Sequence, residues 1–329
     1  MKFGIGLPGA NPMAANKWDR EQITRGMVDV AKRADELGYY FVSAQDHPVI
    51  PAASRHMIGP RWYDAFATLS YVAGMTKRVK LLSSVVVLPY RDPFTVAKTM
   101  ATLDVVSRGR VIFGVGVGHL KAEFDALKVP YEQRGAISDE QIQIIKLLWT
   151  GEPVTFKGKF YSCENVVLDP KPKQQPLPIW PGGNTKLAAK RAGLYGEGWN
   201  PFQLTIDEIK PLSEYARGLA KQRGYTRPFD VVMPVGPVLR NEDAAPKRSA
   251  EEVERRVKAI AGDSEYYRKI AARNLSNASL TSAEDIRSQV NRAKAAGATV
   301  CNVGFRYREL SHYLEAMDWF AKEIMPNYR

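Results

Sequence analysis

Three short stretches of the chain carry residue types that could do chemistry. Gln45-Asp46-His47-Pro48 sets a carboxylate beside one of only four histidines. A carboxylate next to an imidazole can hold its tautomer and tune it to pass protons near neutral pH, so Asp46 and His47 form a candidate acid–base pair. Gly114-Val115-Gly116-Val117-Gly118-His119 alternates glycine with valine. A dinucleotide fingerprint needs Gly-x-Gly-x-x-Gly, and its third glycine falls on His119 or on Lys121, so that reading fails on spacing. Alternating glycines in a strand leave two readings open: a flat group approaches the backbone, or the wall needs room to pack. Pro181-Gly182-Gly183-Asn184-Thr185 runs into a helical segment. Small residues with available amides at a helix start make a phosphate cradle, although an ordinary tight turn looks similar.

Other chemistries find little support. His47, His56, His119 and His312 show no His-Glu-x-x-His spacing, and neither Cys163 nor Cys301 stands in a metal-binding pair, so no metal is expected. There is no Gly-x-Ser-x-Gly nucleophile elbow. The 329 residues include 47 Lys+Arg and 35 Asp+Glu, a formal net charge of +12. The basic residues are scattered, with no run longer than two, which reads as a basic solvated surface and not as a nucleic-acid face. No apolar run reaches the ~18–20 residues of a membrane span, and the first residues lack a signal-peptide pattern. Two cysteines cannot build a disulfide framework, and a reducing, cytoplasmic location is expected.

The elements that must position these residues alternate. Residues 3–7 and 39–44 read as strands around a helix that buries Ile23, Met27, Val30, Ala34 and Leu37 and closes at Gly38. A helix over 63–76 leads to a nearly continuous apolar strand over 79–88. Asp92-Pro93 then supplies an N-cap and a first helical proline, and that helix stops at Gly109. A strand at 111–116 and helical pieces near 120–127 and 137–149 follow. From 151 to 178 the rhythm breaks into a hairpin, with 154–156 and 160–161 as its arms. It resumes with strands at 178–181, 198–202 and 229–239, helices at 186–194 and 206–223, and a polar, helical, exposed stretch over 240–273. Thr281-Ser282-Ala283-Glu284 reads as a capping box, 299–305 as the last strand, and Tyr313, Leu314, Met317, Phe320 and Ile324 as the face of the last helix.

Eight strand–helix units predict an α/β fold closed into a (β/α)8 TIM barrel. The expectation is one domain over 1–329, with an insertion hairpin between strands 4 and 5 (about 151–178) and a helical excursion after strand 7 (about 240–280). An open doubly wound sheet is the competitor. In a barrel the active site lies where strands end, and the residues singled out above all follow strands.

The combined pattern resembles a known family. Ser83-Ser84-Val85-Val86-Val87-Leu88-Pro89-Tyr90-Arg91-Asp92-Pro93, Ala97-Lys98, Leu103-Asp104, Ser107-Arg108-Gly109-Arg110, the glycine run to Gly118, Glu123-Phe124 and Gly196-Glu197-Gly198-Trp199 look like the luciferase-like monooxygenase superfamily. The likeness is strong over about 1–205 and loose beyond. Asp46-His47-Pro48 followed by Val49-Ile50-Pro51 resembles the branch that uses the deazaflavin coenzyme F420. Bacterial luciferase, a relative that uses flavin mononucleotide (FMN), carries a phosphate-binding arginine where this chain has Val117.

The resemblance implies roles residue by residue. Asp46 would contact the deazaflavin and His47 would face its reactive carbon. A non-prolyl cis peptide at Ser84–Val85 would back the ring. Gly182, Gly183, Asn184 and Thr185 would bind the phosphate. Gly118 and His119 would line the ring edge, His119 standing where other members place a carboxylate or tryptophan. Trp62, Tyr90 and Arg306 would wall the substrate. The implied reaction is hydride transfer between the deazaflavin C5 and a carbonyl, alcohol or activated alkene carbon of a small organic molecule. A homodimer and a separate enzyme that reduces the cofactor are implied too. An FMNH2-dependent two-component monooxygenase is the rival, followed by a non-catalytic flavin-binding barrel.

Overall fold

The computed structural model describes residues 1–8, 18–52, 61–202, 204–239, 249–261, 268, 280–307 and 309–329. The strands are β1 (Lys2–Gly6), β2 (Phe41–Ala44), β3 (Lys80–Ser83), β4 (Val86–Val87), β5 (Val111–Gly116), β6 (Val154–Lys157), β7 (Ser162–Val166), β8 (Ile179–Pro181), β9 (Gly198–Trp199), β10 (Asp230–Val238) and β11 (Val300–Phe305). The helices are α1 (Arg20–Leu37), α2 (Ala65–Met75), α3 (Pro93–Val106), α4 (Lys121–Ala126), α5 (Arg134–Leu148), α6 (Lys186–Tyr195), α7 (Ile206–Gln222), α8 (Ala250–Ala261), α9 (Ala283–Ala295) and α10 (Leu310–Glu323). No helix among the described residues is long and apolar enough to cross a membrane.

The sheet closes on itself. β11 pairs with β1, β1 with β2, and β2 with β3, all parallel. β5 takes both β3 and β4, which are two halves of one interrupted strand. β5 then pairs with β8, a Gly182–Asn200 bridge joins the ends of β8 and β9, β9 pairs with β10, and β10 with β11. Eight parallel positions therefore form a closed ring, and the open doubly wound alternative is excluded.

Strand alternation sorts the side chains into two layers. Phe41, Leu82, Ile112, Trp180, Val232 and Val300 pack together inside the barrel. The alternate residues, among them Val42, Leu81, Val111, Ile179, Val231 and Cys301, face the helices. β1 and β9 answer the two large rings with glycine. A Cβ on Gly4 would lie 2.4 Å from the Phe41 ring, and one on Gly198 would lie 2.7 Å from Trp180 Nε1.

Local chemistry sets several boundaries. Asp92 accepts the Thr95 amide at 2.9 Å and Pro93 opens α3, as the sequence indicates. Gly38 adopts φ 79° and closes α1. Other boundaries move. The expected strand over 79–88 is split: Leu82 pairs with Ile112 and Val86 with Val115, so three residues oppose two and a bulge forms at the cis Ser84–Val85 peptide. The hairpin's second arm is β7 and not 160–161, because the Glu140 carboxylate accepts the amides of Lys159, Phe160 and Tyr161 and holds them as a turn. The cap of α9 is Ser282, whose hydroxyl accepts the Asp285 amide at 3.0 Å, one residue later than the expected box from Thr281 to Glu284. Within the expected helical stretch 240–273, residues 249–261 contain α8, whereas 240–248, 262–267 and 269–273 lie outside the described residues, as does His56.

Candidate active site

The loops after the strands bring residues together at the barrel rim. His47 follows β2, and Glu123 sits in the first turn of α4, after β5. His47 Nδ1 lies 3.1 Å from Glu123 Oε2. The same oxygen accepts the Tyr90 hydroxyl at 3.0 Å, and Oε1 accepts the Val49 amide at 3.4 Å. With Nδ1 directed at a carboxylate, Nε2 is the ring nitrogen left to act on a ligand. Trp62 stands edge-on to the His47 ring at 4.5 Å, and the His119 ring lies 6.1 Å away at 86°.

Sequence proximity pointed to Asp46 as the carboxylate that orients His47, and the structure corrects this. Asp46 Oδ1 accepts from Arg91 Nη2 at 2.7 Å, and Oδ2 accepts from the Val87 amide at 3.4 Å. The same Arg91 nitrogen donates to Asp64 Oδ2 at 3.0 Å, and the guanidinium lies over the Phe66 ring. Asp46 is 3% exposed, and burial pushes its carboxyl up to about 6 despite the opposing Arg91. Burial, then Glu123, pushes the Tyr90 hydroxyl far above its ordinary range. His119 is exposed at the rim. Partial desolvation by its neighbours first, and the facing His47 second, displace its imidazole downward, an effect that water access weakens.

The glycine run is settled by contacts of the chain itself. A Cβ on Gly114 would lie 1.9 Å from the Ser83 carbonyl oxygen, and one on Gly116 would lie 2.6 Å from Val85 Cγ2. The bulge therefore occupies the space that the glycines leave, and the packing reading holds over a flat ligand against the β5 backbone. Gly182 serves the same bulge, since its Cβ would lie 2.8 Å from Val85 Cγ1. Its amide donates to the Val115 carbonyl at 2.7 Å and is not available for a phosphate.

Available donors begin two residues later. The parallel Gly182–Asn200 bridge also engages the Gly183 amide, whereas among the described residues no hydrogen bond takes the amides of Asn184 or Thr185, which precede α6. Gly183 has φ 115°, and Trp199 Nε1 donates to its carbonyl at 3.1 Å. Asn184 Oδ1 accepts the Phe202 amide and Thr185 caps α6 through Ala188. A row of amides at a helix start fits an anionic group such as a phosphate. Across the mouth, Asn200 Nδ2 donates to Ser84 Oγ at 3.1 Å and ties the bulge to the end of β9.

The remaining expected residues fall on the same rim. Gly118 has φ 78° and turns the chain between β5 and His119. Trp62 borders His47, while the Tyr90 hydroxyl is committed to Glu123 and does not face a ligand freely. The Arg306 amide donates to Val238 at the end of β11. A cavity of about 660 Å³ opens on the flank between the starts of α2 and α3; Asp46, His47, Trp62, Phe66, Arg91 and Thr95 line part of it. Sequence reasoning assigned no role to Glu123 or Arg91. The available signal for Glu123 was a carboxylate in the first turn after a barrel strand, the place where barrel catalysts gather.

A closed parallel barrel whose rim holds a carboxylate-anchored imidazole and a row of available amides has the architecture of a barrel enzyme. The chain belongs to the luciferase-like monooxygenase family, a family of oxidoreductases whose model matches residues 1–306. The F420-dependent glucose-6-phosphate dehydrogenase of Amycolatopsis mediterranei is 35% identical over 196 residues, covering 57% of this chain and 57% of that protein. The F420-dependent hydroxymycolic acid dehydrogenase of Mycobacterium tuberculosis is 30% identical over 200 residues, covering 59% and 54%. The match thus spans little more than half of either relative. Among solved structures, monooxygenase RslO1 from Streptomyces bottropensis superposes with a TM-score of 0.79 at 23% identity over the whole of both chains. An F420-dependent secondary alcohol dehydrogenase superposes at 0.75 and 21% identity, over 100% of this chain and 99% of that one. At such identities the likeness establishes the fold alone.

Proposed function

We propose that this chain is an F420-dependent oxidoreductase that moves a hydride between the deazaflavin and a small organic substrate, a carbonyl or alcohol or an activated alkene. The observation that carries the reading is the Glu123–His47 pair, which engages Nδ1 and leaves Nε2 of a positioned imidazole for a substrate. The named activities of the two dehydrogenase relatives support the same choice of cofactor. The amides of Asn184 and Thr185 would hold the cofactor phosphate, beside the turn at Gly183. Gly182, with its amide already paired, would shape the turn, and Ser84 and Val85 would back the ring. Asp46 would face the ring's polar edge, with Gly118 and His119 beside it. Bound there, a 5-deazaflavin supplies a hydride-carrying carbon that reacts poorly with oxygen. His47 takes the substrate proton at Nε2 in the oxidising direction and returns it in the reducing direction. Glu123 keeps the ring in the tautomer and orientation that this requires. Trp62 and Arg306 would bound the substrate, with Tyr90 acting through Glu123. One domain over 1–329, a homodimer and a separate reductase for the cofactor complete the proposal.

A deazaflavin fluorescence-quenching titration of the purified protein, run beside an FMN titration, tests the cofactor. Micromolar deazaflavin binding with weak FMN binding is the expected result. Preference for FMN, with substrate-dependent oxygen uptake, would replace this reading by a two-component monooxygenase; RslO1 is named a monooxygenase. With the cofactor established, His47→Ala should lower turnover about 100-fold or more while changing cofactor affinity little. Unchanged turnover removes His47 from the reaction.

A further inference from the structure

We infer that His119 carries protons between His47 and solvent. The inference rests on the proton-transfer role of His47, which creates a need for an exit. His47 is enclosed on one side by Glu123, with side-chain exposures of 15% and 1%, and Trp62 packs edge-on against the ring. The Tyr90 hydroxyl is turned to Glu123 and held protonated by burial, so it offers no outlet. The open cavity on the flank, which His47 also lines, is the remaining route, and a ligand seated there would close it.

His119 provides the missing step. It is exposed at the rim, and its ring stands 6.1 Å from the His47 ring at 86°. Allowing for the ring radii, the nitrogens remain beyond the ~3.2 Å reach of a direct hydrogen bond, so a bridging water would have to complete the path. The backbone holds His119 in this place. Gly118, at φ 78°, turns with Phe124 and Val87 packed where a Cβ would lie, and the Tyr131 hydroxyl donates to the His119 carbonyl at 3.3 Å. Partial desolvation and the facing His47 disfavour the cationic ring, with Glu123 opposing, so a proton received is passed on and not kept.

In the oxidising direction the substrate O–H bond breaks and its proton goes to His47 Nε2, while the hydride leaves carbon for the deazaflavin, the oxidant. The protonated His47 then gives that proton to the water, which gives one to a His119 ring nitrogen, and His119 loses it to bulk solvent. No electrons move in the relay, and both imidazoles return to their starting forms.

His119→Gln tests this at saturating deazaflavin, the affinity of wild type and variant having first been measured by titration. At low buffer concentration the variant's turnover should fall about tenfold, as expected for loss of a proton-transfer group. Added imidazole should restore it in proportion to concentration while leaving wild type unchanged. Wild-type turnover in the variant, or a loss that imidazole does not repair, overturns the relay. Should the cofactor assignment fail instead, NMR of the cofactor-free proteins still decides the matter. Exchange of the His47 ring proton with solvent should be slower in His119→Gln than in wild type, and equal rates overturn the proposal.

Discussion

Asp46 and Glu123 are both almost fully buried, yet their partners divide them. Glu123 holds an imidazole and a tyrosine hydroxyl, whereas Asp46 is tied to Arg91 and sits where ionisation is costly. The ordinary Asp46 value of 3.8 rises to about 6 in the folded chain, so the native state binds this proton more tightly than the unfolded state does. That contribution to stability is fully present below pH 3.8 and is lost as pH rises through about 6. Asp46→Asn does not titrate. Its stability relative to wild type should therefore climb between pH 4 and pH 7, by on the order of 2–3 kcal/mol from the size of the shift. Urea midpoints of both proteins at pH 4, 5.5 and 7 measure the change, and a constant gap would show that burial does not govern Asp46. A carboxylate kept where the fold is strained by its charge is the usual mark of a group retained for function.

At the level of elements, the bulge between β3 and β4 is the part of the wall with least tolerance. The Ser83 carbonyl occupies the place of a Gly114 side chain, and backbone cannot step aside as a flexible side chain can. Gly114→Ala should cost about 3 kcal/mol or more by overpacking and forced backbone movement. Leu187→Ala, at a 70% exposed position, should cost under ~0.5 kcal/mol. Thermal unfolding of the two variants checks the contrast, and equal midpoints would mean that the bulge relaxes freely. Features set by a few neighbouring residues were readable in the sequence: the Asp92-Pro93 start, the Gly38 stop, the alternation of strand and helix. Ser282 and Thr281 both carry capping hydroxyls, so the cap was misplaced by one residue. Features set by distant residues were not readable. Glu123 reaches His47 across 76 positions, and the occupant of the Gly114 and Gly116 clefts comes from the facing strand. Gly182 looked available to a phosphate because only the ladder to Val115 reveals its amide as taken.

The whole molecule separates two ends of the barrel. At the floor, carboxylates fasten the starts of strands: Asp35 accepts the amides of Lys77, Arg78 and Val79, Asp104 those of Val111 and Gln174, and Glu197 that of Ile179. At the rim, the loops carry the ionisable cluster and the available amides. The fastened ring and the loops that carry the site thus lie at opposite faces, the arrangement that lets one barrel host many reactions. The floor is also where the first and last residues meet. The Met1 amine donates to the Tyr328 carbonyl at 2.9 Å, and Phe3 packs against both Phe320 and Tyr328.

Because β1 and β11 are neighbours in the ring, the order of the chain is cyclic in space even though it is linear in sequence. Position one is then a convention that can be moved. A short linker from residue 329 to residue 1, with new ends cut between Gly224 and Pro228 on the floor, should fold to the same barrel and bind the same cofactor. New ends cut beside His119 would part the rim from its strand and abolish binding. Comparing cofactor titrations of the two permutants would show whether the molecule reads its sequence as a line or as a circle.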